Sequence, residues 1–284
     1  MERHFLLSLA ICCVTAMGYA QSNAPVKYGD NAAAGGYKMV NGIHLYYEIY
    51  GQGQPLVLLH GNGGSIRNQQ KRIIFFQQYF KVIAIDSRSQ GRSLDTVSKR
   101  LTYDQMALDV KVLLDSLHID SAFIWGQSDG GILGLILAAK YPVKVARLAT
   151  FGANTFPGKK AVFPEIVDMI MDTLKTTKNF QERRLNDLMA HQPHISRNEL
   201  QSIQAPVLIM AGDRDVIRPQ HSQMIADHIP HSNLFIMPGA THFGAYEKPD
   251  LFNKVLLDFY QQPFSSKSSV EIFTGKPSAV KPKH

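Results

Sequence analysis

The chain has 284 residues, 45% hydrophobic and 19% charged, which is ordinary for a globular protein and enough for one sizeable domain with a buried core. Its formal net charge is +7, but the basic residues are scattered apart from Lys159-Lys160, Arg183-Arg184 and the tail lysines Lys276, Lys281 and Lys283. No basic stripe interleaves with aromatic residues, so composition argues against a nucleic-acid partner and for a solvated basic surface.

Residues 1–20 open with a basic Arg3, continue through an almost wholly apolar run over 5–17, and end on Gly18-Tyr19-Ala20 at cleavage spacing. This pattern predicts a secretory signal peptide cut after Ala20, and so an exported protein, periplasmic or secreted. The apolar run is short for a bilayer span, so no stable span is expected after cleavage. Ile11 stands before Cys12, where a lipoprotein signal needs a small residue. Cys12 and Cys13 both fall inside the leader. The mature chain is therefore expected to have no disulfide, thiolate metal site or cysteine nucleophile.

Residues 21–36 are polar and small and read as a linker. Residues 37–40 and 43–50 read as a hairpin turning at Asn41-Gly42, a dipeptide suited to type I′ turns. A short apolar run over 55–59 ends at His60-Gly61, a helix is predicted over 66–79, and a buried strand over 81–85. Over 103–117 apolar residues recur at helical spacing through Met106, Leu108, Val110, Leu113, Leu114 and Leu117. A buried strand over 122–125 precedes a helix over 132–141, and another strand follows over 145–151. Between 156 and 201 two helical segments, 163–174 and 180–190, replace the alternation and read as a small inserted cap. Strands over 206–210 and 234–237 then alternate with helices over 220–229 and 248–260. Beyond 261 the chain is rich in Ser, Pro and Lys, and residues 263–284 are expected to be a disordered basic tail.

Continuous apolar strands alternating with amphipathic helices predict an α/β fold: a mostly parallel sheet of about eight strands, flanked by helices on both faces. Its core would be built from residues 37–155 and 202–262, with the cap 156–201 between them. Ligands in such sheets sit beyond the carboxyl ends of the strands. His60 to Gly63, Asp86, Ser128, 213–215 and 240–242 all fall there, which makes them candidates for one pocket.

Gly126-Gln127-Ser128-Asp129-Gly130 spells G-x-S-x-G between a predicted strand and a predicted helix. A serine on such a turn is lifted out of the sheet, the glycines permit the bend, and the helix start aims free N–H groups beside its oxygen. A serine hydroxyl needs a base to take its proton, and the base needs a third group to orient it. Asp213 and Asp215 follow one strand and His242 follows the next, giving the order Ser, Asp, His.

From residue 43 to about 260 the chain resembles the α/β-hydrolases. The resemblance rests on five motifs in order: His60-Gly61-Asn62-Gly63-Gly64, Asp86 to Ser93, the G-x-S-x-G elbow, Gly212-Asp213-Arg214-Asp215 and Thr241-His242-Phe243. It implies Ser128 as nucleophile, His242 as base and Asp215, the last residue of the G-x-x-D turn, as the acid. Asp213 is then a turn or capping residue. The backbone N–H groups of Asn62 and Asp129 are expected to form the oxyanion hole. His60 and the segment from Asp86 to Ser93 take structural roles in the family. His191 and His194 have metal-like spacing but no obvious third ligand, so no metal site is expected; His221, His228 and His231 read as solvated.

Related dehalogenases and epoxide hydrolases carry aspartate at the elbow. Serine here implies acyl transfer through a serine ester, with no cofactor or metal required. The stretches 126–142 and 152–154 are similar to the branch containing valacyclovir hydrolase, which cleaves α-amino-acid esters. There the acidic residue after the serine receives the substrate ammonium, a role that falls on Asp129. Gln127, in place of the usual bulky aromatic, and a shorter cap depart from that branch, and Asp129 also reads as a simple helix-start residue. The expectation is an exported serine hydrolase acting on small carboxylic esters or lactones. The alternatives are amino-acid ester hydrolysis using Asp129, C–C bond hydrolysis on the same triad, and a hydrolase-fold binding protein.

Overall fold

A computed structural model describes residues 26–265 and 267–276. The predicted signal peptide with both cysteines, and residues 277–284 of the predicted tail, lie outside the described residues. Eight strands form one sheet: β1 Gly35–Val40, β2 Ile43–Tyr50, β3 Pro55–Leu59, β4 Lys81–Ile85, β5 Ala122–Gln127, β6 Val145–Phe151, β7 Val207–Arg214 and β8 Ser232–Thr241. Their order is β1-β2-β4-β3-β5-β6-β7-β8. The first two strands pair antiparallel, as do β2 and β4; every pairing from β4 to β8 is parallel.

The helices are α1 Gln70–Phe76, α2 Tyr103–Ser116, α3 Asp129–Lys140, α4 Pro164–Thr176, α5 Phe180–His191, α6 Arg197–Gln201, α7 Pro219–His228, α8 Gly244–Glu247, α9 Pro249–Gln261 and α10 Ser269–Thr274. Side chains alternate across a strand, so each buried strand feeds two cores. Val57 and Leu59 of β3 join a core with α2, α3 and α7, while Leu56 and Leu58 join one with α1 and α9. Two apolar faces explain why β3 and β4 read as unbroken hydrophobic runs rather than alternating ones. The hairpin turns where expected, with Asn41 (φ 43°) and Gly42 (φ 83°) both left-handed.

The cap comprises α4, α5 and α6. It is fastened to the core through Arg184 on α5, which donates to Ser98 O (2.7 Å), Asp95 O (2.8 Å) and Ser89 Oγ. The receiving loop is itself held by Arg88, buried between Asp109 (2.6 Å) and Asp95 (3.1 Å). At the other end, Phe163 N donates to Val216 O (3.0 Å), and Val162 bridges Ile217.

Three expectations are corrected. The segment read as a linker over 21–36 is pinned from its first described turn: Gly29 N and Asn31 N donate to buried Glu48 at 2.9 and 2.8 Å, and β1 begins at Gly35. Glu48 also accepts from Tyr46 and Tyr50 hydroxyls (2.7 and 2.8 Å), so a strand carboxylate organises a segment that composition alone leaves loose. The region read as tail holds α10, started by a capping box between Ser268 and Glu271. His221, read as solvated, is buried: Thr155 and Phe156 at the start of the cap fold over α7, and Thr155 N donates to its Nε2 at 3.0 Å.

That burial holds the His221 imidazole neutral, lowering its pKa from 6.5 to about 4. The unfolded chain protonates at the ordinary value, so this contribution to stability is complete above pH 6.5 and is lost as pH falls toward 4. Glutamine at 221 can accept the same bond but does not titrate. Denaturant unfolding should show the wild-type advantage over His221→Gln shrinking by on the order of 2 kcal/mol between pH 7 and pH 4. Parallel pH dependences for the two proteins would refute the assignment.

Candidate active site

Ser128 joins the end of β5 to the start of α3 with φ 52° and ψ −118°, a conformation that is strained for any residue with a β-carbon. The turn survives because its flanks are glycines: a Cβ on Gly126 would lie 2.1 Å from Gly130 O, and one on Gly130 would lie 2.2 Å from Leu59 O. Ser128 N donates to Phe151 O (2.8 Å), and its carbonyl accepts from Gly131 N (2.8 Å) and Ile132 N (3.1 Å) of α3. The serine is thereby fixed by backbone on both sides.

His242 follows β8, and its Nδ1 lies 2.7 Å from Asp215 Oδ1. Asp215 is fully buried at its side chain and also accepts from Ile217 N (3.1 Å) and Gly212 N (3.3 Å). A carboxylate at Nδ1 makes that nitrogen the N–H donor and leaves Nε2 as the basic one. The ring packs against Gly152 (φ 65°), where a Cβ would come within 2.6 Å of it. Ser128, Asp129 and His242 line one cavity of about 770 Å³ beneath the cap. No hydrogen bond joins Ser128 Oγ to the ring among the described residues; in unliganded sites this contact commonly tightens only when substrate binds.

Asp213 faces elsewhere. Its carboxylate accepts from Gly239 N (2.8 Å) and Ala240 N (3.1 Å), bracing the turn that leads to the histidine. Between the two acids, geometry selects Asp215 as the imidazole's partner.

The loop after β3 closes the other side. Gly63 N donates to Gln90 Oε1 (2.6 Å), and His60 receives Ser87 N at Nε2 (3.0 Å) while its Nδ1 meets Gly61 O (2.8 Å). Burial lowers the His60 pKa to about 4, so it serves as a neutral strut. The backbone N–H groups of Asn62 and Asp129 donate to no acceptor among the described residues. Two unspent donors thus flank a serine.

The alpha/beta hydrolase fold family model matches residues 54–188. The 3-oxoadipate enol-lactonase 2 of Acinetobacter baylyi is 30% identical over 246 residues, covering 74% of this chain and 91% of that protein. The chain belongs to the α/β-hydrolase family. The mouse (Mus musculus) protein named serine hydrolase BPHL is 28% identical over 262 residues, covering 84% of this chain and 90% of its own, so the hydrolase resembles that branch. The crystal structure of the enol-lactonase from Burkholderia xenovorans LB400 shares the fold, with a TM-score of 0.69 at 23% identity over 80% of this chain and all of that one (100%).

Asp129 of this α/β-hydrolase does not cap α3: no backbone N–H donates to its carboxylate among the described residues. Instead Oδ1 accepts from the Tyr103 hydroxyl and Oδ2 from Asn62 Nδ2, both at 2.8 Å. Burial raises its pKa to about 6 against the pull of those two donors. Tyr103 escaped the sequence reading because it looks like the first apolar position of α2, and its partner is 26 residues away.

Gln127 is likewise legible in the sequence only as a departure. Its Nε2 donates to His242 O (3.2 Å), and its Oε1 accepts from Arg72 (3.4 Å). Arg72 is buried over the rings of Tyr246 (4.3 Å), Phe252 (5.4 Å) and Trp125 (5.7 Å), with no carboxylate paired to it among the described residues. Burial lowers its pKa. The guanidinium and Gln127 together connect the serine strand to the histidine segment.

Among the described residues, no group of three or more His, Cys, Asp and Glu side chains is placed to hold a metal ion, and no helix is long and apolar enough to cross a membrane. His191 lies beside the Asp187 carboxylate at 3.0 Å.

Proposed function

We propose that this hydrolase cleaves small carboxylic esters or lactones through an acyl-enzyme on Ser128. The observation that carries the reading is the 2.7 Å contact of Asp215 with His242, whose side chain lines the same cavity as an elbow serine. Nε2 of His242 takes the proton of Ser128 Oγ as it attacks the carbonyl carbon. The resulting oxyanion accepts from the N–H groups of Asn62 and Asp129, each worth on the order of 10²–10³ in rate. The imidazolium, steadied by Asp215, returns the proton to the departing oxygen. Water then repeats the sequence on the acyl-enzyme and releases the acid. A fluorophosphonate should label the wild-type protein at Ser128 and leave Ser128→Ala unlabelled. An unlabelled wild-type protein, folded by circular dichroism, would overturn the reading.

A second reading is favoured by Asp129 and by the resemblance to BPHL: α-amino-acid esters, with the ammonium on Asp129. A carboxylate has about four lone-pair sites, so bonds from Tyr103 and Asn62 leave room for a cation. Asp129→Asn should then lower kcat/KM for amino-acid benzyl esters by on the order of tenfold or more relative to simple esters. The wild-type preference should also fade as pH drops below about 6, where Asp129 becomes neutral. An unchanged ratio would exclude the ammonium role.

A further inference from the structure

The cavity has two unlike walls, and each is attached to a different part of the machinery. One wall is polar and continuous. Asn62 bonds Asp129, Asp129 bonds the Tyr103 hydroxyl, and Tyr103 N donates to Gln192 Oε1 (3.2 Å). It grows from the oxyanion loop and the start of α3. The other wall is apolar. Val216 and Ile217 directly follow Asp215, Phe243 directly follows His242, and Ile166, Met169 and Ile170 face the same space from α4. The loop after β7 is joined to the segment leading into α4 by Phe163 N to Val216 O and by the Val162–Ile217 bridge. Asn154 interrupts this wall, but its amide nitrogen is committed to Phe156 O at 2.9 Å.

Reaction chemistry assigns these walls to the halves of the substrate. At the tetrahedral stage the attacked carbon carries an oxyanion, a leaving oxygen and an acyl substituent. The oxyanion points to the N–H groups. The leaving oxygen must take its proton from His242, so the leaving group extends toward the base. The acyl substituent takes the remaining direction, along the wall that continues from Asn62 and Asp129.

Building on the proposed esterase reading, we infer that the apolar wall of α4, Val216, Ile217 and Phe243 is a subsite for an aliphatic leaving group, and that the polar wall receives the acyl half. The substrate class is then an ester of a small polar or short acid with an apolar alcohol. A lactone would bear its alkyl branch at the alcohol carbon. C–O cleavage places the proton from His242 on that alcohol, which leaves as a neutral apolar product.

Isomeric esters test this because total hydrophobicity cancels. Pentyl acetate and methyl hexanoate have the same formula and differ only in which half carries the chain. Pentyl acetate should be turned over with kcat/KM on the order of tenfold higher, since each methylene fully withdrawn from water is worth about fourfold. Met169→Gln, on an exposed stretch of α4, should reduce the ratio of pentyl acetate to methyl acetate, and Ile166→Asn should reduce it further. Equal or reversed preference between the isomers, or an unchanged ratio in both variants, overturns the assignment of the walls while leaving the esterase reading intact. Failure to hydrolyse any of these esters, with no fluorophosphonate labelling, removes the esterase reading and this inference together.

Discussion

Ser128→Ala removes essentially all hydrolysis, on the order of 10⁶-fold in kcat, while the protein stays folded. The loss is large because nucleophile and base act as one unit, so His242→Ala should cost about as much, and the double variant little more than either. The residual rate measures what the free N–H groups of Asn62 and Asp129 contribute without covalent chemistry. Stability should change little, because alanine keeps the β-carbon that makes φ 52° unfavourable at this position. The measurement is steady-state kinetics on a p-nitrophenyl ester beside thermal unfolding of the same preparations. A variant retaining more than about one hundredth of the activity would mean that another nucleophile carries the reaction.

Asp215→Asn and Asp213→Asn should separate sharply. An asparagine at 215 can present its N–H₂ to His242 Nδ1, which stabilises the wrong tautomer and moves the proton to the nitrogen needed as base. The expected loss is on the order of 10⁴ in kcat with little change in fold. Asp213 is exposed, and its carboxylate accepts from Gly239 N and Ala240 N and faces Arg214 at 3.8 Å, so its replacement should cost at most about tenfold, through loosening of the turn before His242. Reversal of the two effects would transfer the acid role to Asp213 despite the observed contact.

The parts of the fold visible in the sequence were those determined by near neighbours. Periodicity identified α2, buried runs identified β3 to β6, and Asn41-Gly42 identified the hairpin. The elbow was legible because a strand, a glycine-flanked serine and a helix stand in direct succession. Where pairing with a distant segment decides the outcome, the reading stopped short. β7 was expected to end at Met210, because Gly212 and Asp213 suggest a turn; the sheet instead carries it to Arg214, paired with Thr241 across a bulge. β8 runs through Pro238 and Gly239 for the same reason. His221 looked polar on a helix, and nothing local reveals that the cap covers it.

The catalytic assignments depended on order and motif, and the geometry brings Ser128, Asp215 and His242 to the same end of the sheet. The environment of Asp129 was less accessible. A carboxylate at a helix start suggests a cap from local sequence alone, whereas its actual partners come from α2 and from the loop after β3. The same holds for Gln127, whose neighbours Arg72 and His242 lie 55 and 115 residues away.

The glycines flanking the serine limit where this enzyme can diversify. A methyl group at 126 or 130 would strike main-chain oxygens, which have nowhere to move, so both positions are closed to substitution. The two letters left free in the motif open in different directions, Gln127 toward the histidine segment and Asp129 toward the oxyanion loop. Lineages sharing this turn can therefore acquire new selectivity by rewriting one letter on either side of an immobile serine.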